Sequence, residues 1–120
     1  MENNCVFTTN ELEELQQSLS NIMEIETLLE TKFRNRRISV IWGYDTFSRE
    51  DYIAGASFSE SKAKQTVQNM EPNSDDESLC DTFSIINQTI DYILNHPILG
   101  DRSSRAMIYN FLRADLKTFS

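Results

Sequence analysis

The spacing of apolar residues changes at Arg37. Upstream, Leu12, Leu15, Leu19, Ile22, Leu29 and Phe33 recur every three or four positions, one face of a helix, with a break at Glu26. Downstream, Ile38, Val40, Trp42 and Tyr44 alternate with Ser39, Ile41, Gly43 and Asp45. That is the period of a strand, in β-branched and aromatic residues that suit one. A strand needs a partner for its main-chain groups. The only good match is "DYIAGASFS", residues 51–59, reached through "DTFSRE". A rival reading makes Ser48 and Asp51 a capping box that opens a short helix, which Gly55 disfavours. The hairpin reading gives an α+β, predominantly helical chain, and the rival gives an all-α bundle.

The remaining pattern is helical. "TTNELEELQQSLSNIMEIETLLETKFRNRR" reads as one long N-terminal helix. Thr8 and Glu11 form a capping box, acidic residues open the helix and Lys32, Arg34, Arg36 and Arg37 close it, as the helix dipole prefers. About 25 residues rising 1.5 Å each make a rod of roughly 37 Å, long enough to pair with a second copy as a homodimer. After the hairpin, three helices are expected near residues 60–70, 79–95 and 102–118, the second ending ahead of Pro97, where proline crowds the residue before it. Residues 1–7 read as a flexible arm, and "EPNSDDES", 71–78, as an acidic loop.

At 120 residues the chain fits one domain, residues 1–120. Three glycines and two prolines favour helices and short connections over a turn-rich β-sandwich. Cys5 and Cys80 stand apart, with one histidine in the chain, so zinc is not expected and both thiols read as free, as in a reducing cytoplasm. Met1 is followed by Glu2, Asn3 and Asn4 rather than an apolar run, and no stretch approaches the ~20 apolar residues of a membrane span. The net charge of −8, from 19 acidic and 11 basic residues, argues against nucleic acid and for a protein partner with a basic surface. Glu11, Glu13 and Glu14, with Asp75, Asp76 and Glu77, are the candidates to meet it.

Catalytic motifs are missing: the sequence has no GxGxxG, Walker loop, HExxH or GxSxG. The single histidine, His96, reads as a helix-terminal dipole partner. One stretch invites a sharper reading. In "HPILGDRSSR", Pro97, Gly100 and Asp101 are the punctuation between two helices, but Arg102 and Arg105 oppose the dipole at a helix start. With Ser103 and Ser104 they could hold a phosphate or carboxylate, and Tyr109 and Arg113 continue the stripe at helical spacing. The plain alternative is surface pairing of the arginines with Asp101.

The composition resembles that of small interaction proteins, such as immunity proteins and phage-encoded inhibitors. The expected function is therefore a cytoplasmic protein-binding module that neutralises a partner, with no cofactor. The alternatives are a binder of a phosphorylated or nucleotide-like ligand through the arginines of the last helix, and a small enzyme.

Overall fold

The computed structural model describes residues 7–70 and 81–119. Among these residues five helices and three strands follow one another as α1 (Thr9–Gln16), α2 (Ile22–Glu30), β1 (Arg37–Asp45), β2 (Glu50–Ser57), α3 (Glu60–Met70), β3 (Thr82–Thr89), α4 (Ile90–Leu94) and α5 (Arg102–Leu116). The strands form an antiparallel sheet in the order β2-β1-β3.

Two expectations are corrected. The long N-terminal helix is two short ones. Thr8 and Glu11 do form a capping box, but Gln17 caps α1 at its C-terminus and Asn21 opens α2, its Oδ1 accepting from the N–H groups of Met23 and Glu24 at 3.1 and 3.4 Å. Ser18, Ser20 and Asn21 bring side chains that compete for backbone hydrogen bonds, which favours a cap over a continuous helix. The rod on which a homodimer would pair is therefore absent. The second correction concerns residues 79–95. Residues 82–89 form β3, and only Ile90–Leu94 are helical, with Thr89 as their N-cap. Ile85 and Ile86 pair with Ile41 and Val40 of β1. These β-branched residues suit strand pairing, and their adjacency serves a strand with apolar neighbours on both faces as well as it serves a helix. The single hairpin is thus part of a three-stranded sheet, and the all-α alternative falls with it.

Both faces of that sheet are covered. Ile38, Val40 and Ile53 point into the main core, where they meet Ile25, Leu29, Ile108, Leu112 and Leu116, all essentially solvent-free. Each such side chain contributes about 1.5–3 kcal/mol of burial. Ser39 and Ile41 point the other way and are equally buried, while α3 packs on all three strands. Phe7, at the end of the expected arm, is buried with its ring edge-on to Phe33 and Phe58 at 5.3 and 4.9 Å. Residues 1–6, Cys80 and the acidic loop lie outside the described residues. Among the described residues no helix is long and apolar enough to cross a membrane.

Two local devices shape the sheet. Ile41 pairs with Gly55 and Trp42 with Ile53, so Ala54 is an extra residue, a bulge in the edge strand β2. At the hairpin tip Asp45 Oδ1 accepts from the N–H groups of Phe47 and Ser48, and Arg49, at φ 64°, donates its N–H to Asp45 O at 2.6 Å. The tip holds Phe47 out in solvent, 84% exposed.

Candidate functional site

The acidic residues expected to meet a partner do several different things. Glu11 is occupied: it completes the cap with Thr8 and takes both guanidinium nitrogens of Arg36 at 2.6 Å each. Those bonds, the arginine's first, hold its carboxyl below the usual glutamate range. Glu14 pairs with Lys32 at 2.7 Å on the surface. Glu13 is exposed. Asp75, Asp76 and Glu77 lie outside the described residues. Where α1 turns into α2, Glu14 and Glu24 flank a shallow groove beside Met23, which is 73% exposed.

The stretch before α5 is first of all a structural joint. A Cβ on Gly100 would come within 2.4 Å of Leu94 O and 2.7 Å of His96 O, so only glycine fits. His96 Nδ1 accepts from the N–H groups of Ile98 and Leu99, both at 3.1 Å, and so braces the loop. Asp101 caps α5 by accepting from Ser103 N–H at 3.2 Å. The arginines do not pair with it. Arg105 reaches Glu30 Oε2 at 3.4 Å, and the buried Tyr109 hydroxyl donates to the same oxygen at 2.6 Å. Burial and that carboxylate push the Tyr109 phenol far above its ordinary range. Arg113 Nε donates to Leu19 O at 2.6 Å. Arg105, Tyr109 and Arg113 thus hold α5 against α2 and the turn that leads into it. Arg102 is exposed at the helix start, and Ser103 and Ser104 turn to the opposite side, toward β2.

That opposite side is where the geometry gathers. α5 carries a second apolar stripe, Met107, Phe111 and Ala114, next to the one it buries. Met107 is 43% exposed, Phe111 37%, and Ile98 at their head 53%. β2, one of the two edge strands of the sheet, runs beside them with small residues, Ala54, Gly55 and Ala56. Two cavities open along this seam. One of about 220 Å³ lies at the hairpin end among Trp42, Asp51, Ile98, Ser104 and Met107. The other, about 340 Å³, lies past the bulge among Ala54, Ala56, Phe111, Ala114, Lys62 and Thr66. The far end is pinned by Asp115, which accepts from Ser57 Oγ and Phe58 N–H at 3.1 and 3.0 Å and pairs with Lys62 at 2.7 Å.

Neither the family models, nor the curated proteins, nor the solved structures compared with it match this chain. The chemistry must be read from the seam itself. It offers apolar contact area, the outward main-chain groups of β2 and exposed carboxylates at one end. Among the described residues no cluster of three or more metal-binding side chains exists.

Ser103 and Ser104, expected from the sequence at an anion site, line this apolar cleft. No motif singles out Ile98, Met107 and Phe111. The available signal was the width of the apolar surface on α5, where Met107 and Phe111 extend beyond the stripe of Ile108, Leu112 and Leu116.

Proposed function

We propose that this protein is a binding module that acts by covering a surface of a partner protein, and that it does so through the seam between β2 and α5. The supporting observation is the row of exposed Ile98, Met107 and Phe111 beside an open strand edge. Soluble proteins keep contiguous apolar surface small unless something covers it, and methionine and aromatic side chains recur at interface centres. The acidic groove beside Met23 is the rival contact surface on the same molecule. A photo-activated crosslinker placed at Met107 or at Met23, in the source cell, separates the two. Capture of one protein species from position 107 and not from 23 is expected. Capture from position 23 alone would place the interface at the acidic elbow and overturn this reading.

A further inference from the structure

We propose that the seam takes an extended, basic segment of the partner as a fourth strand alongside β2. This rests on the protein-binding reading of the same seam and goes beyond it by naming the conformation and charge of what binds.

The conformation follows from the edge. β2 pairs with β1 on one side only, so among the described residues its outward N–H and C=O groups meet no strand. An extended segment satisfies such groups in register, which a helix cannot do. The two faces of the sheet are flanked here by different helices. Successive side chains of an added strand would turn alternately toward Lys62 and Thr66 of α3 and toward Phe111 and Ala114 of α5. The cavities lie on either side of the Ala54 bulge, over residues 51–57. At ~3.3 Å per residue that is an edge of roughly 20 Å, a segment of about six or seven residues.

The charge follows from which ionic groups are already neutralised. Lys62 is paired with Asp115. Glu50 and Asp51, exposed at the hairpin end with Asp51 on the wall of the smaller cavity, are in no salt bridge among the described residues; neither is their exposed neighbour Arg49, so the three together leave a net negative charge at this end. A lysine or arginine in the segment would be held there. A second copy of this chain would bring another −8 and its own Glu50 and Asp51 to the same edge, which favours a foreign basic segment over self-pairing.

The test pans the full chain against a displayed library of random twelve-residue peptides and measures the synthesised winners by fluorescence anisotropy. Three results are expected. The winners carry lysine or arginine. N-methylation of every second residue weakens binding at least tenfold, while methylation of the intervening residues does not, because only alternate amides face the edge. The double change Glu50→Lys with Asp51→Lys weakens binding about tenfold. Met107→Lys, at a side chain already half in solvent, is the control for the seam, with a melting curve to show that it folds. Peptides that need Met107 but show no alternation, or are acidic, overturn the strand proposal and leave the binding reading standing. Peptides indifferent to Met107→Lys count against both. Recovery of no peptide overturns the strand proposal, as does a dimer in sedimentation that the same double change abolishes.

Discussion

Gly43 and Tyr52 show how a single absent Cβ sets the packing. A Cβ on Gly43 would sit 2.6 Å from Tyr52 Cζ, so the glycine leaves the Tyr52 ring room to lie across β1. The ring's hydroxyl then donates to Asp81 Oδ2 at 2.5 Å, tying β2 to the residue that leads into β3. Burial, then the Asp81 carboxylate, push the Tyr52 phenol up to about 12. Gly43→Ala should cost about 1–3 kcal/mol in denaturant unfolding, the usual cost of overpacking. In a Tyr52→Ala background most of that cost should disappear, because the two changes act on one contact. Glu11 gives a second prediction. Its carboxyl is held below the usual range in the fold, so its contribution is present above pH ~4.5 and is lost as the pH falls through the lowered value. Glu11→Gln should therefore lower stability by about 1–2 kcal/mol at pH 7, and the difference should shrink as the pH falls through the lowered value, which unfolding curves over a series of acid pH values will show.

At the scale of elements, the parts that local chemistry decides were legible in the sequence and the parts that tertiary pairing decides were not. The capping box at Thr8, the β1–β2 hairpin, α3 and the start of α5 at Asp101 each carry their signal within a few residues. β3 does not. Its Phe83, Ile86 and Ile90 keep helical spacing, and only pairing with β1 makes residues 82–89 a strand. One clue was available: Ile41 breaks the alternation of β1, as expected of a central strand buried on both faces. The break between α1 and α2 was visible as Ser18, Ser20 and Asn21, but the apolar spacing ran across it. The seam was the least legible part, because it joins α5 to an edge strand some fifty residues earlier. Asp115 tests how that joint is held. Asp115→Ala removes the acceptor for Ser57, Phe58 and Lys62, and should cost about 2–3 kcal/mol in thermal or denaturant unfolding. Lys117→Ala, at the exposed C-cap two residues on, should change stability by less than about 0.5 kcal/mol.

At the scale of the molecule, the fold sets charge and apolar surface to different uses. Glu11, Glu14, Glu30, Glu60, Asp91 and Asp115 are matched within the molecule by Arg36, Lys32, Arg105, Lys64, Arg34 and Lys62. The remaining carboxylates give the field that would draw in a basic partner, and the seam gives the contact that would hold it. Backbone amide exchange, read residue by residue with and without a peptide selected against the full chain, tests that division most directly. In the free protein the outward amides of Ala54–Ser57 should exchange faster than those bonded to β1. In the complex they should slow at least tenfold, together with the flank of α5 around Phe111, while α1 and α2 stay unchanged. Protection that falls on α1 and α2 and leaves β2 exchanging as before would contradict the account.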